Sequence, residues 1–479
     1  MRKNNKFLKK VIGFSIPTWI GFGVSFISTP IITRLFLPSE VGKINLFSTV
    51  LNLLMLITFL GFDQAFVRFY KELPGKYNKN EIFSFALICS LIVGVFISCI
   101  IFLLNDFISL QITGTKNFLI SIMLSASLFG NIILKFLNIY SRMEEDIILY
   151  AVQAITIVLI NKVSFTIVAL WNPNHENAIL MMTFGYITAS IIFIVIKRKS
   201  FSKIKYFDWI SASALLKFGL PLIPVTVLSW LNSSLPQFML KEFVDYSSIG
   251  IYTNAVAIAT TMNLIQTGFN IYWVPFVYSN YLNSQPTIQK IHKYITFLMC
   301  LLGVSIVMTQ DFIYLLLGTE YRSSKIFFPF LLISPIAFTI AETTGIGIGI
   351  SKKSYLNIIS FFGSALINLL LSFILIPIIG IGGAAISSAF AAIVLLILKT
   401  LLGEKYYRSV SNYKQTFMSI FIIIMVSTVN YLFFSMSLLK YIFFAILTII
   451  LTVINRDVIA DAGKKVNEER INYINKGRK

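Results

Sequence analysis

Apolar runs of about twenty residues recur along the chain, separated by short polar connections. Each run is long enough to cross a hydrocarbon core as a helix. The pattern predicts fourteen spans, at about 11–33, 44–66, 82–104, 118–140, 147–170, 178–196, 218–240, 250–274, 294–317, 326–350, 355–377, 382–402, 416–435 and 440–455. The basic N-terminus MRKNNKFLKK resembles the first part of a signal peptide, but the run behind it is too long and lacks a small-residue cleavage site. It reads as a retained first span.

The connections on one side are short, as in WNPNHEN (171–177), IGIGG (379–383) and SMSLLK (435–440). The largest soluble pieces are the basic connection 197–217 and the tail 456–479, read as a surface helix on anionic lipid or a frayed basic end.

The pattern also repeats. GFDQAFVRF (61–69) aligns with GFNIYWVPF (268–276) at an offset of 207, with Asp63 facing Asn270 and Arg68 facing Pro275. KVIGFSIP ending at Pro17 matches LLKFGLP ending at Pro221 at an offset of 204, and Gly42 matches Gly250 at 208. Three landmarks at nearly one offset predict two halves of six spans in the same orientation, related by an axis along the membrane normal. The expected organisation is one bundle over 1–200, a second over 201–402, and spans 13 and 14 with a basic tail over 403–479.

Composition agrees. The 479 residues are 57% hydrophobic and 13% charged, against roughly 25% charged in soluble domains. The formal net charge of +20 would raise nucleic acid as a partner in a soluble chain. Here 31 of the 40 lysines and arginines fall on the side of the two termini, counting Lys399 at the end of span 12 with the connection that follows it, 7 fall on the other, counting Lys440 at the start of span 14, and Lys135 and Lys162 lie inside spans. That asymmetry is the positive-inside pattern, which predicts cytoplasmic termini and removes the nucleic-acid reading. Cys89, Cys99 and Cys300 all lie in apolar runs without metal-site spacing, so they read as small core residues. No P-loop, HExxH or Gly-x-Ser-x-Gly motif is present, and His175 and His292 fall in opposite connections. The small residues of GIGIGI (345–350) read as helix packing. No enzyme, cofactor or metal is called for.

Polar side chains inside the spans carry the candidate chemistry, because they are costly in hydrocarbon and turn towards a partner or a wet cavity. On a helical wheel, Asn45, Ser48, Asn52 and Asp63 share about 60° of span 2, and Tyr252, Asn263, Gln266 and Asn270 do the same in span 8. Either reading, helix-to-helix hydrogen bonding or a cavity wall, fits such a stripe. Lys162, near the centre of span 5, reads as a cavity lysine, with snorkelling as the alternative. Lys135 has both options. Arg34 and Arg68 end spans 1 and 2 as interface anchors or gate charges. Asp63 and Glu342 are the acids available for a coupling ion or for charge pairing, Asp63 with Arg68 at the poor spacing i to i+5.

With fourteen spans, a paired six-span repeat, Phe-x-Ile-Pro in span 1, LPSEVGKINLF after it and LGFDQAFVRFY closing span 2, the chain resembles the polysaccharide transporters. These are O-antigen and capsular repeat-unit flippases of the multidrug/oligosaccharidyl-lipid/polysaccharide exporter superfamily. The resemblance implies an all-α polytopic membrane protein with two six-helix bundles in a V-shaped exporter fold. It implies alternating access that carries an undecaprenyl-pyrophosphate-linked oligosaccharide across the bacterial plasma membrane. It also implies a monomer in the lipid bilayer, working with polysaccharide assembly proteins, a coupling ion among its partners. The family's cationic cavity is matched here to Arg34, Arg68, Lys135 and Lys162, with Asn52, Asn263, Gln266 and Asn270 facing sugar. A drug/cation antiporter of the same superfamily is the alternative, although such proteins carry an acid early in a half and spans 1 and 7 have none. A peptidoglycan-precursor flippase is a second alternative. A membrane polymerase or ligase is a third, which the short connections disfavour.

Overall fold

The computed structural model describes residues 2–72, 78–201 and 209–464. Most of the tail read above as a surface helix or frayed end therefore lies outside the described residues. Among those described there are α-helices and no strands, as lipid demands of a spanning chain that is not a closed barrel. Among the described residues thirteen helices are long and apolar enough to span, or fourteen if a pair bent by 65° at Phe327 counts as one.

The chain packs as two compact units. The first holds residues 1–264 and 317–321, the second 265–316 and 322–479. The first contains α1 (Arg2–Leu35), α2 (Pro38–Phe59), α3 (Phe62–Phe69), α4 (Lys79–Leu103), α5 (Asn105–Thr113), α6 (Phe118–Met143), α7 (Ile147–Ala169), α8 (His175–Ile196), α9 (Trp209–Gly219), α10 (Ile223–Phe243) and α11 (Tyr246–Ala259). Then come α12 (Asn263–Asn280), α13 (Gln285–Met308), α14 (Gln310–Leu316), α15 (Phe328–Thr344), α16 (Ile346–Ile350), α17 (Tyr355–Ile379), α18 (Ile381–Glu404), α19 (Tyr413–Leu432) and α20 (Ser437–Ile454).

Local chemistry fixes the helix starts. Asn78 and Glu81 form a reciprocal capping box before α4. Asn117, Asp146, Asn174, Asp245 and Asn412 cap α6, α7, α8, α11 and α19 through their side-chain oxygens. Span 2 is not one helix, as the apolar run suggested. Leu60 and Gly61 adopt left-handed backbone at φ 48° and 73°, so α2 stops and FDQAFVRF forms the separate α3. The turn is crowded: a Cβ on Gly219 would come within 2.9 Å of Gly61 backbone, and one on Gly61 would strike Gly219. Span 8 breaks likewise at the 3-10 turn 260–262. A wheel drawn through either break no longer holds, so Asp63 is not in line with Asn45 and Asn52 on one continuous helix.

The first unit's core is aromatic around α3, where Phe66 stacks on Tyr140 (centroids 6.2 Å) and Phe83 lies 4.7 Å from Tyr140. In the second unit α15 is buried almost throughout. There α19 and α20 are tied down by polar contacts at both ends. At one end Lys293 bridges Asp457 at 2.9 Å, Tyr294 bonds Asp461, and Gln415 donates to Asp457 at 2.7 Å. Burial alone would raise the Asp457 carboxyl, but the bonds from Lys293 and Gln415 and the lysine's charge hold it below its ordinary value. At the other end Gln310 donates to Asn430 at 2.7 Å, and Asp311 pairs with Lys325.

GIGIGI does serve packing. A Cβ on Gly347 would collide with the Gly403 backbone, and one on Gly403 with Thr344. Gly268 has open space around it. Gly347→Leu is expected to destabilise by about 1–3 kcal/mol through overpacking, whereas Gly268→Ala is expected to be neutral or stabilising by up to about 1 kcal/mol. Thermal unfolding of both variants in detergent checks this; equal effects would contradict the packing role.

Candidate functional site

The first unit contains a contact that the repeat explains. α2 and α11 cross with almost no side chain between them. A Cβ built on Gly42 would strike the carbonyl of Tyr246, and one on Gly250 would strike the carbonyl of Pro38. Pro38 and Tyr246 are offset by 208, as are Gly42 and Gly250. The contact is therefore reciprocal, as across a two-fold axis. One turn on, Asn45 Nδ2 donates to Thr253 Oγ1 at 2.7 Å, again a pair at offset 208.

Two flanking clasps follow the same logic. Tyr246 Oη donates to Leu110 O at 3.1 Å and Lys241 Nζ to Gln111 Oε1 at 2.8 Å, beside Gly114. In the other direction Gly318 N–H donates to Thr33 Oγ1 at 3.2 Å and Tyr321 Oη to Phe36 O at 3.0 Å. Thr33 and Lys241 differ by 208, and Gly114 and Gly318 by 204. Below the crossing, Thr49 Oγ1 donates to Gln237 Oε1 at 2.9 Å and Trp230 Nε1 to Thr49 O at 3.3 Å.

The selected residues divide between the units. Arg34, Asn52, Asp63, Arg68, Lys135, Lys162 and Asn263 belong to the first, Gln266, Asn270 and Glu342 to the second. In the first unit Asn52, Arg34 and Lys135 are exposed on α2, α1 and α6. Asp63 does not bond Arg68. It accepts from Gln64 Nε2 at 2.8 Å and acts electrostatically on Lys135. Arg68 instead pairs with Glu72 at 2.7 Å, an exposed i,i+4 bridge worth about 0.3–0.5 kcal/mol. Lys162 is half-buried on α7, one turn beyond Val158, which packs on Gly21 of α1. Among the described residues no hydrogen bond or ion pair to Lys162 is found.

In the second unit Glu342 is not isolated. Lys399 Nζ lies 3.3 Å from its Oε1 and 5.5 Å from the Phe361 ring, and Trp273 Nε1 donates to the Glu342 backbone at 3.2 Å. The loop count had placed Lys399 in a connection. Apolar residues continue past it, and α18 runs on to Glu404. Asn270 is half-buried, with its Oδ1 enclosed and unpaired among the described residues. Gln266 and Asn263 are half-buried as well. Sequence reasoning missed Thr253 and Lys399. The repeat offset would have found Thr253, and the apolar run around 393–402 would have found Lys399. The clusters of ionisable residues form no metal site among the described residues.

The profile of the family described as "Polysaccharide biosynthesis protein" matches residues 7–277. Among solved structures the chain is similar to the lipid II flippase MurJ in an inward closed conformation, with TM-score 0.70 and 16% identity over 94% of this chain and 100% of that one. It is also similar to a point mutant of the Vibrio cholerae MATE transporter VcmN (TM-score 0.57, 14% identity, 86% of this chain, 99% of that one). An inward-facing multidrug resistance MATE transporter of the MOP superfamily matches with TM-score 0.51 and 17% identity, over 83% of this chain and 97% of that one. At these identities the likeness establishes the fold. No curated protein sequence matches the chain.

The Glu342–Lys399 pair gives a testable outcome. Its side chains are 33% and 11% exposed, so the pair is partly desolvated. Lys399→Met is expected to cost more than the ~0–1 kcal/mol of a surface pair and less than the ~3–5 kcal/mol of a fully buried one. Glu342→Gln combined with Lys399→Met should regain most of it. Additive losses in a double-mutant cycle of detergent unfolding would show that the two groups are not coupled.

Proposed function

The chain belongs to the polysaccharide biosynthesis protein family, and on that premise we propose that it exports an anionic lipid-linked oligosaccharide across the bacterial plasma membrane by alternating access. The observation that carries the reading is the reciprocal α2–α11 crossing. The contact is made by two glycines and one hydrogen bond, with polar clasps at either side, so it is a localised closure and not an extended side-chain core. The basic bias assigns that end of the helices to the outer face. The crossing then serves as the outer closure of a transporter built from two repeats, 1–200 and 201–402, with 403–479 appended.

The substrate class follows from charge. A lysine near the middle of a span costs roughly 2.5–3.5 kcal/mol, and an anionic head group offsets that cost through charge-assisted hydrogen bonds. We assign this role to Lys162, with Arg34, Lys135 and Arg68 as further basic groups for the head group. Asn52, Asn263, Gln266 and Asn270 supply amides for sugar hydroxyls. An inside-negative potential helps each negative charge outward by about 2.3 kcal/mol per 100 mV. The MurJ structure is titled a lipid II flippase, and lipid II export is the same chemistry with a different saccharide. Asp63 and Glu342 are the acids for a coupling ion, Glu342 through its bond to Lys399.

Two experiments test the reading. In a background with Cys89, Cys99 and Cys300 changed to alanine, Asn45→Cys with Thr253→Cys should cross-link under mild oxidation. Surface polysaccharide should then stop appearing and return on reduction; continued export by the cross-linked protein would sink alternation at this crossing. Separately, Lys162→Ala should lower surface polysaccharide at least tenfold with normal protein in the membrane, about 1.4 kcal/mol of lost binding, while Lys162→Arg retains most of it. Normal export by Lys162→Ala would remove the head-group role.

A further inference from the structure

In the second unit α19 packs on α13 and α15, and a crevice is left between α18 and α19. It has a volume of about 220 Å³ and is walled by Ile393, Ile397 and Leu401 of α18 and by Phe417, Phe421 and Ile424 of α19. Ile397, Leu401, Phe417 and Phe421 are exposed at its rim, so it opens sideways. Its hydroxyls are engaged. Thr400 donates to Leu396 O at 2.6 Å and lies 2.8 Å from the Thr344 hydroxyl, and Thr416 Oγ1 lies 2.9 Å from His292 Nε2. The crevice therefore offers little to a saccharide or to water, which needs several polar partners in a cavity. From Tyr413 to Ile424 it runs about 16 Å along α19, at about 1.5 Å per residue. That is the depth of one leaflet in a hydrocarbon core about 30 Å thick.

The mouth of the crevice is basic. α18 ends at Glu404 and α19 starts at Tyr413. The connection between them carries Lys405 and Arg408, with Lys414 just inside α19. All three are exposed, and none has an ion-pair partner among the described residues. Arg408 is near enough to Tyr413, at the crevice mouth, to act on it electrostatically. Lys353, from the turn before α17, reaches the same connection and stands 4.7 Å from the Tyr406 ring centroid. The carboxylates nearby are occupied. Glu404 accepts from the Ser409 and Val410 N–H groups and from Tyr413 Oη, and Asp457 takes Lys293 and Gln415.

We propose that this crevice binds an anionic phospholipid of the leaflet on the side of the two termini. One acyl chain fills the space between α18 and α19, and its length matches the leaflet-deep wall. The phosphate meets the cations at the mouth, where Arg408 can give it two parallel hydrogen bonds and Lys414 and Lys405 add charge. A neutral lipid supplies the same chain without the charge. The bound lipid takes the place of side-chain contacts that α18 and α19 do not make, and so ties α19 to α18.

The full chain, purified in detergent, would be titrated with phosphatidylglycerol and with phosphatidylcholine of the same acyl chains, with bound lipid counted by native mass spectrometry. One phosphatidylglycerol per chain should bind about tenfold more tightly than phosphatidylcholine, the preference expected of several cations around one phosphate. Ile397→Trp, which fills the crevice from an exposed position, should weaken phosphatidylglycerol about tenfold, whereas Leu370→Trp, exposed on α17, should not. Arg408→Gln with Lys414→Gln should bring the two lipids to parity. Both side chains are exposed, so this arm stands even where the tryptophan disturbs packing. Equal affinity for the two lipids in the unmutated chain, or unchanged binding in Ile397→Trp, would overturn the proposal. Tighter binding of undecaprenyl phosphate at the same site would overturn it too, by making the occupant the transported lipid. None of these outcomes bears on Lys162 or on the Asn45–Thr253 cross-link, so the export reading stands or falls separately.

Discussion

The closeness of α2 and α11 depends on two positions that carry no side chain. Gly42 and Gly250 bring each helix onto the other's backbone carbonyl, at Tyr246 and at Pro38. In lipid there is little hydrophobic drive to bring helices together, so close backbone approach supplies much of the attraction. The rest of the first unit is arranged around this approach. Asn45 and Thr253 find each other because the glycines bring their helices near enough for a 2.7 Å bond. The segments 110–114 and 317–321 reach the helix ends on either side for the same reason.

The same low-dielectric setting decides how charges are handled. Lys399 meets Glu342, Lys293 meets Asp457, and Lys440, almost fully enclosed, lies 5.4 Å from the Phe434 ring and 5.1 Å from the Tyr441 ring. Each such cation has its offset within one unit. Lys162 lacks one among the described residues. That difference is the observation on which the proposed head-group role of Lys162 rests. A head-group phosphate has the sign and hydrogen-bonding capacity to be that ligand.

Much of the fold was legible in sequence because lipid imposes one strong rule, long apolar helices. Spans 5, 13 and 14 were placed within about three residues of α7, α19 and α20. The breaks were not legible. Leu60 is an ordinary helix former, and nothing local announces its left-handed backbone; the cause is Gly219 pressed against Gly61 from another part of the chain. That tertiary cause also undid the wheel joining Asp63 to Asn45. Lys399 was misplaced for a different reason. A lysine late in an apolar run looks like its end, and only the carboxylate of Glu342, fifty-seven residues away, makes its place inside α18 tolerable. The glycine crossing, by contrast, was half visible: the offset of 208 was there, without the knowledge that the matched residues touch.

That last point bears on how the chain works. By sequence α11 belongs with the second repeat, yet it packs into the first unit, and so does the segment 317–321. A packing boundary that cuts α12 near Leu264 follows directly from the broken run at 260–262. The break lets the first part of span 8 answer to α2 while the remainder, through Trp273, answers to Glu342 and α13. A continuous helix would transmit any movement at Gly250 rigidly to Asn270. A helix interrupted by a 3-10 turn can absorb a change at one end before passing it on. Span 2 is interrupted at Leu60 and Gly61, about two turns beyond the position that the offset matches to 260–262, so both crossing helices carry a break between the glycine contact and their far termini. The two helices that meet at Gly42 and Gly250 are therefore each free to bend between that contact and their far ends, which is the flexibility that the proposed closure requires.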